Sequence, residues 1–239
     1  GVLHCSSASG YAPGQSSRGV IMAKFISQRV KVLVFPENPV RAIAHPARVC
    51  YKSLPKDIIQ EIKFVNGLKK SGHLTPFEHV SATVELTTSR AVTHELVRHR
   101  MASFNQESQR YVKYDTGIEF IRPIWTYVPE NNRGFVRWCT AMTQAEESYL
   151  GLIDLGAFPE EAREVLPNST ATTIVVTANF REWLHIFDMR LFGTTGRPHP
   201  EIRALMCSVW KEFSRLSPEI FDPEINLFVD GADTVSIER

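Results

Sequence analysis

Apolar residues recur at intervals of three and four along several stretches of the chain, a spacing that predicts helices with one buried face. The longest such stretch covers residues 132–155, and Gly156 follows it as a stop signal. A second helix is predicted over residues 57–70, again with a glycine, Gly72, just beyond it. Four more stretches are predicted to be helical, and prolines open the second and the fourth of them: residues 90–101, 158–167, 181–191 and 200–213.

Alternating apolar and polar residues predict a second kind of element, the half-buried strand. The alternation is clearest from Val80 to Leu86, where every second residue is apolar. Residues 30–35 and 172–179 are also predicted to be strands. Strands that alternate in this way expose one face, which is typical of antiparallel sheets. We therefore predict an α+β fold, with an antiparallel sheet and packed helices in a single domain over residues 22–239.

Composition narrows the class of protein. Hydrophobic residues make up 43% of the chain, and 27 basic against 26 acidic residues leave a formal charge of +1. A general binder of nucleic acids or membrane surfaces needs a broad basic field, so we expect neither partner. No apolar run reaches the roughly 18 residues of a membrane span. If the ligand is anionic, a few local arginines must hold it.

The start of the chain and its cysteines indicate the compartment. The first 21 residues are rich in glycine, serine and proline and resemble no secretory signal, so we expect a flexible tail there. The four cysteines lie far apart without a CxxC pair, which disfavours a zinc knuckle or a dithiol redox site. A reduced, cytoplasmic protein without a metal site is the resulting expectation.

Residues 98–111, RHRMASFNQESQRY, concentrate anion-binding and hydrogen-bonding side chains. On a regular helix Arg98 and Arg100 would lie about 200° apart, so each would serve a different group or a subunit interface. His94 and the residue after it resemble the start of a zinc-binding HExxH motif. The next histidine, His99, is five positions on and about 140° away, which excludes that motif. A solvated basic face is the alternative interpretation of an isolated RHR.

The segment after RHR is poor in helix formers and is predicted to be extended. Gln106, Ser108 and Arg110 would then project to one side. An amide, a hydroxyl and a guanidinium in a row suit a nucleotide, because the guanidinium can hold a phosphate while the other two groups bind base or sugar. An ordinary polar loop could contain the same residues.

Two further polar clusters carry candidate chemistry. The first joins a predicted helix to a strand and contains His73, Thr75 and Glu78. The second lies near the last predicted strand and helix and contains Arg163, Asn179, Arg181, His185 and Arg190. A helix stop followed by a turn would explain the first cluster, and a salt-bridged helix surface would explain the second.

Together these segments resemble the flavin-dependent thymidylate synthases. RHR, seven further residues and Ser108 match the family signature, which SQRY continues, and the other matching segments are HPARVCYKS, GHLTPFEH, AREVLP and TANFREWLHIFDMR. The resemblance spans roughly residues 41–192. It implies an α+β fold assembled as a homotetramer, with active sites shared between subunits. It also implies conversion of dUMP to dTMP, with 5,10-methylenetetrahydrofolate as one-carbon donor, FAD as cofactor and NADPH as reductant.

The resemblance further assigns residues to ligands. FAD contacts are implied for Thr75, Glu78, Arg98, His99, Arg100, Asn105, Gln106, Asn179, Arg181 and His185. dUMP contacts are implied for Glu95, Arg98, Gln106, Glu107, Ser108, Gln109, Arg110, Arg163 and Arg190, and folate contacts for His73 and Tyr111. The chain departs from the family at Cys50, where serine is frequent, at Gln106, where some members have glutamate, and in a longer loop at residues 193–200.

Arg190 is the implied catalytic residue. The target carbon of uracil must gain electron density before it can attack a one-carbon unit. A cysteine could add to the ring, but Cys50 is the one cysteine within these motifs and it falls at a flavin contact. A guanidinium against the uracil amide would instead stabilise negative charge on N3. Ser108 has no general base fixed beside it by sequence and is interpreted as a binding hydroxyl, while Arg110 and Arg163 are interpreted as phosphate holders.

A nucleotide-binding regulator without catalytic activity is the alternative function, and it would not need FAD. An RNA-binding module is a weaker alternative, because the net charge is low and no RNP-like aromatic motif is present. A metal hydrolase could draw on eight histidines, but no pair has a convincing ligand spacing.

Overall fold

The computed structural model describes residues 23–54, 57–114, 117–127, 132–222, 229 and 231–238. The predicted tail over residues 1–21 lies outside the described residues. The strands are β1 (Lys24–Ile26), β2 (Arg29–Val34), β3 (Ser81–Ser89), β4 (Ser103–Gln106), β5 (Glu119–Ile121), β6 (Ala171–Asn179) and β7 (Ser236–Glu238). The α-helices are α1 (Pro39–Val49), α2 (Ile58–Lys70), α3 (Arg90–Leu96), α4 (Asn132–Asp154), α5 (Pro159–Ala162), α6 (Phe180–Phe187) and α7 (Pro200–Leu216). Short 3-10 segments cover Thr75–His79 and Arg163–Val165, and a π-helical turn covers Asp188–Phe192.

Five strands form the main sheet in the order β4-β6-β3-β2-β7. The pairings of β4 with β6, β6 with β3, and β3 with β2 are antiparallel, as predicted. The prediction of a purely antiparallel sheet is wrong at one edge, because β7 pairs with β2 in parallel. β1 and β5 form a second, two-stranded parallel sheet. β1, β5 and β7 have three residues each, too few to show a period, and they join partners far away in sequence.

The buried face of β3 and β6 packs against α6 and α7. Trp183 and Phe187 on α6 and Phe213 on α7 are fully buried and contact one another edge-on or stacked. The indole N–H of Trp183 donates to the carbonyl of Ala82 on β3 at 3.1 Å. Burial of each such ring stabilises the fold by roughly 1.5–3 kcal/mol. Because these contacts hold α6 against the sheet, the residues on the opposite face of α6 are held in place as well.

Helix α3 is shorter than the predicted helix over residues 90–101. It ends at Leu96, and the chain then turns, with the N–H of His99 donating to the carbonyl of Leu96 at 3.1 Å. The turns bring Ser103 next to Thr177, where β4 begins. The arginines on either side of His99 therefore do not lie on a regular helix, and the predicted angle between them does not apply.

The extended segment after RHR is also shorter than predicted. β4 ends at Gln106, and the N–H groups of Tyr111 and Val112 both donate to the carbonyl of Ser108, which closes a turn. The hydroxyl of Ser108 accepts from the backbone N–H of Arg110 at 3.3 Å. The predicted row of Gln106, Ser108 and Arg110 along one side of a strand is therefore wrong. A polar side chain that bonds its own backbone competes with extended structure.

Helix α6 continues into the π-helical turn and ends at Gly193, which has a left-handed backbone with φ of 72°. A Cβ at this position would lie 2.8 Å from the Pro198 side chain and 2.9 Å from the Gly196 carbonyl. Only glycine fits such a position without strain. The turn therefore fixes where the helix stops and how Arg190, within its last turn, is presented.

Helix α4 packs on a separate core with β1 and β5. Phe25, Phe120 and Tyr149 are its large buried members. In the part of the chain that the structure describes, no helix combines the length and the apolar character needed to cross a membrane.

Candidate active site

A cavity of about 580 Å³ lies where β6 gives way to α6. Four residues with implied flavin contacts line it, namely Glu78, Asn179, Arg181 and His185. They come from two segments about a hundred residues apart, and the fold brings them to one wall. Leu74, Leu184 and Met101 add apolar surface, and Glu182 and Asp188 add carboxylates.

Hydrogen bonds to the backbone hold the residues of this wall in place. The side-chain oxygen of Asn179 accepts from the N–H of Glu182 at 2.9 Å and so caps the start of α6. The backbone N–H of Phe180 donates to the carbonyl of Val80, which ties α6 to the segment that carries Glu78. Arg181 and Glu78 form an ion pair at the cavity surface. The ion pair therefore holds the guanidinium of Arg181 at the surface of the cavity.

His99, the central residue of RHR, lies buried behind the cavity with 6% of its surface exposed. Its Nε2 atom accepts from Nε of Arg190 at 3.1 Å, and its Nδ1 atom lies 3.5 Å from Oε1 of Glu182. Its ring also meets that of His185 edge-on, with the centroids 5.6 Å apart. The pKa of His99 is lowered from 6.5 to about 4, first by burial and then by the nearby Arg190 and His185. His99 is therefore neutral at physiological pH.

Three hydrogen bonds hold the Arg190 guanidinium. Besides its bond to His99, it donates to the Glu95 carboxylate at 3.1 Å and to the Glu95 backbone carbonyl at 3.3 Å. The side chain is largely buried, and its charge is matched by one carboxylate. A guanidinium bound along two edges keeps a fixed orientation. This arrangement joins the RHR segment, through Glu95 and His99, to the implied catalytic residue.

The implied phosphate holders lie elsewhere in the chain. Nε of Arg110 donates to the Glu160 carboxylate at 3.2 Å, and Nε of Arg163 donates to the Glu160 backbone carbonyl at 3.2 Å. Glu107, three residues before Arg110, donates its N–H to the Thr173 carbonyl near the start of β6. Six residues separate Thr173 from Asn179, or on the order of 20 Å of strand. The two arginines thus neighbour each other but lie toward the opposite end of β6 from the cavity.

Glu107 is engaged within the chain. Its carboxylate accepts from the Tyr114 hydroxyl at 2.8 Å and from the N–H of Thr173 at 3.4 Å. Burial raises the pKa of Tyr114, and the Glu107 charge and hydrogen bond raise it further. Gln106 likewise donates from its amide to the hydroxyls of Thr93 and Thr172. Both side chains therefore help to fix the segment on which Arg110 lies.

The remaining predicted site residues do not line the cavity. Arg98, Arg100, Thr75, Asn105, His73 and Tyr111 are exposed, Gln109 is buried, and Ser108 is intermediate. His73 lies three residues beyond Lys70, the last residue of α2, and its N–H donates to the carbonyl of Leu68, while Tyr111 lies beside Arg110. Within one chain the two implied folate contacts thus belong to different regions.

Sequence reasoning missed two carboxylates of the cavity wall, Glu182 and Asp188. Burial raises the pKa of both, and the nearby His185 opposes that shift in each case. A signal was available for Glu182, since it lies three residues before His185 on one helical face. No comparable pattern marks Asp188, which lies in the π-helical turn.

His99, Glu182 and His185 each place one possible ligand atom within 4.8 Å of the others. Three such groups can in general hold a metal ion. Here the Arg190 guanidinium donates to the second ring nitrogen of His99, so a fixed positive charge lies directly beside the trio. That charge disfavours a cation, and we interpret the three residues as a cluster of polar and ring contacts.

The cavity wall combines one arginine, one histidine and three carboxylates with apolar side chains, so it offers a ligand both polar and apolar surface. Residues 31–219 match the profile of the family described as "Thymidylate synthase complementing protein". The flavin-dependent thymidylate synthase of Geobacter sulfurreducens is 35% identical over 201 residues, which cover 81% of this chain and 85% of that protein. That of Clostridium tetani is 33% identical over 222 residues, which cover 83% and 87%.

Solved structures agree with these sequence matches. The UMP/dUMP methylase PolB from Streptomyces cacaoi, bound with 5-Br dUMP, superposes with a TM-score of 0.74 at 26% identity, covering 83% of this chain and 95% of that one. The chain therefore belongs to the flavin-dependent thymidylate synthase family. The resemblance that the RHR segment and its companions indicated is confirmed.

Proposed function

We propose that this enzyme methylates dUMP to dTMP, with FAD as its cofactor, 5,10-methylenetetrahydrofolate as one-carbon donor and NADPH as reductant. One observation carries the proposal most directly. The guanidinium of Arg190 is held in a fixed orientation by Glu95 and His99, and His99 backs the wall that holds the implied flavin residues. Family membership and the likeness to a UMP/dUMP methylase support the choice of nucleotide.

The cavity beside α6 has the composition that a flavin needs. Apolar side chains of Leu74, Leu184 and Met101 can contact a flat ring system, and Arg181 and His185 can bind its anionic or polar parts. A bound flavin would supply the hydride that reduces the transferred carbon to a methyl group. The ion pair between Arg181 and Glu78 must rearrange if Arg181 is to bind phosphate instead.

Arg190 is proposed to act on the uracil ring. Placed against the amide edge, a guanidinium stabilises the negative charge that develops on N3 and so increases electron density at the carbon that is methylated. Because Arg190 is already oriented by three hydrogen bonds, little reorganisation is needed when that charge appears.

Arg110 and Arg163 are proposed to hold the dUMP phosphate. The Glu160 carboxylate, 3.2 Å from Arg110, lies where an anionic group is attracted, and a phosphate would replace it. Ser108 is proposed to bind the nucleotide by its hydroxyl, since its oxygen accepts from Arg110 in the turn and no general base among the described residues bonds to it.

Residues for one nucleotide lie at two ends of β6 in a single chain. A site that uses Arg190 together with Arg110 therefore requires two copies of the chain, and a homotetramer with shared sites satisfies this requirement. The same argument applies to folate, because His73 and Tyr111 belong to different regions of one chain.

The test is to purify the protein, record its absorbance spectrum, and assay dTMP formation with dUMP, methylenetetrahydrofolate and NADPH. We expect a flavin spectrum and dTMP formation that depends on all three substrates. An Arg215→Ala variant is a matched control, because Arg215 lies on the exposed side of α7 and pairs with Glu212. A colourless protein that binds dUMP but forms no dTMP would contradict the proposal and favour a regulator.

A further inference from the structure

Glu182, His99 and Arg190 form a continuous buried chain of contacts. Oε1 of Glu182 lies 3.5 Å from Nδ1 of His99, and Nε2 of His99 lies 3.1 Å from Nε of Arg190. Glu182 and His99 are 8% and 6% exposed, so water has little access to either contact. The three residues come from α6, from the turn after α3 and from the π-helical turn.

This chain determines which ring nitrogen of His99 carries the proton. Arginine remains protonated, so its Nε can only donate, and Nε2 of His99 must accept. Burial, reinforced by Arg190 and His185, keeps the ring neutral, with a pKa of about 4, so it carries one proton. That proton must lie on Nδ1, the nitrogen that faces the Glu182 carboxylate. The hydrogen bond at one ring nitrogen thus sets the role of the other.

The position of Glu182 is not explained by the helix end alone. It is the third residue of α6, where a glutamate often bonds back to the N-cap residue and where the helix dipole favours a negative charge. Its carboxylate faces His99 instead. Among the described residues no lysine or arginine pairs with it, and burial raises its pKa. A buried carboxylate without a cationic partner is unfavourable unless it accepts hydrogen bonds.

We propose that Glu182 is a positioning residue for the reaction: it fixes the Nδ1–H tautomer of His99, and His99 in turn fixes the orientation of the Arg190 guanidinium. The proposal rests on the proposed role of Arg190 in dUMP methylation. If Glu182 is removed, His99 can place its proton on Nε2, which then opposes the N–H of Arg190. Arg190 would keep its bonds to Glu95 but lose the contact that fixes its second edge.

The first test measures the tautomer itself and is independent of activity. Solid-state ¹⁵N NMR of the holoenzyme with labelled histidine distinguishes protonated from bare ring nitrogens, and a His99→Asn variant identifies the His99 signals. We expect a neutral ring with the proton on Nδ1 in the wild type, and a ring with its proton partly or wholly on Nε2 in Glu182→Leu. Protonation on Nε2 in the wild type, or an unchanged ring in Glu182→Leu, would overturn the proposal.

The second test separates positioning from folding and from flavin binding. Glu182→Leu should lower kcat about tenfold or more, while the KM for dUMP and the flavin content change by less than about threefold. Glu182→Gln should restore kcat to within about threefold of the wild type, because its amide oxygen still accepts from Nδ1–H. Glu61→Leu, which replaces another buried carboxylate on α2 that does not line the cavity, should leave kcat unchanged.

Equal losses of kcat in the Leu and Gln variants, or a wild-type kcat in Glu182→Leu, would overturn the proposal. If Glu182→Leu fails to fold, the Gln variant still decides, since it must keep both the Nδ1–H tautomer and most of kcat. If the wild type forms no dTMP, the proposed function fails, while the NMR measurement still decides whether Glu182 sets the tautomer.

Discussion

Arg190 donates from Nε to Nε2 of His99 across 3.1 Å, although 91 residues separate the two in sequence. This contact links the RHR segment to the arginine assigned to catalysis. The central histidine of RHR is therefore directed inward, as a buried acceptor, while the two arginines beside it remain exposed. Within the motif, His99 supports Arg190 inside the protein. Arg98 and Arg100 are exposed, so a ligand or another copy of the chain can contact them.

Arg190→Ala should leave the fold and the flavin content intact and lower kcat about a hundredfold, because the charge that develops on uracil loses its stabilising group. Glu95 is partly exposed, so water can solvate its carboxylate after the change. Arg190→Lys should recover little activity, since an ammonium cannot reproduce the two-edged contact. The measurement is kcat at saturating dUMP alongside the melting temperature, and normal turnover in Arg190→Ala would refute the assignment.

Arg110→Ala and Arg163→Ala should each raise the KM for dUMP by roughly ten- to a hundredfold, as expected from losing one charge-assisted contact of about 1.5–3 kcal/mol. Ser108→Ala should retain measurable activity. Arg41→Ala is the matched control, because Arg41 is an exposed arginine of α1 outside the site. Steady-state kinetics at varied dUMP gives the answer, and an unchanged KM in both site variants would count against phosphate binding there.

Gly193→Ala should destabilise the protein by about 1–2 kcal/mol from its left-handed backbone, with a further loss from contact with Pro198. Because Gly193 ends the turn that contains Arg190, kcat should fall as well. Gly67→Ala is the control: Gly67 lies inside α2 with no atom within 4 Å of the added Cβ, so it should stabilise the protein by up to about 1 kcal/mol. Denaturant unfolding gives the change in unfolding free energy for both variants. Equal changes at the two positions would contradict the prediction.

Stability should fall between about pH 6.5 and pH 4 because of His99. Its pKa is lowered from 6.5 to about 4 in the folded protein, so in this window the unfolded chain binds the proton and the folded chain resists it. Lower pH therefore favours unfolding, by up to about 1.4 kcal/mol per pH unit for one proton. The contribution is complete above pH 6.5 and is lost as the pH falls through 4.

His99→Asn provides the comparison for this pH effect. The groups that face His99 are Glu182, His185 and Arg190, and the raised pKa of Glu182 acts in the opposite direction, so a single curve cannot be assigned to one residue. We expect the unfolding free energy of the wild type to fall more steeply with decreasing pH than that of the variant. Parallel curves at matched protein concentration would show that His99 is not held neutral by the fold.

The regular elements were largely predictable from periodicity. The predicted helix over residues 132–155 corresponds to α4, Asn132–Asp154, and the strand predicted from Val80 to Leu86 overlaps β3, Ser81–Ser89. The three-residue strands β1, β5 and β7 were not, because a period of two cannot be recognised over so few residues. The early end of α3 was also missed, since it depends on β4 meeting β6 at Thr177, a pairing that local propensity does not encode.

The sequence predicted which residues belong to the candidate site better than it predicted how those residues are arranged. Glu78, Asn179, Arg181 and His185 do share one cavity, yet the resemblance supplied them and their spacing alone did not. The support of Arg190 by Glu95 and His99 depends on contacts between segments about ninety residues apart, which one sequence cannot reveal. Glu182 was accessible in principle, because it shares a helical face with His185.

The central claim is that Arg190 of one subunit and Arg110 of another act on the same nucleotide. Subunits carrying Arg190→Ala and subunits carrying Arg110→Ala, distinguished by different tags, can be co-expressed and isolated as mixed oligomers. Their activity is then compared with that of each parent variant at dUMP concentrations well below KM. If sites are shared between chains, random mixing leaves about a quarter of them with both arginines intact, so activity should rise to about a quarter of the wild type. Activity no higher than the mean of the two parent variants would contradict the account.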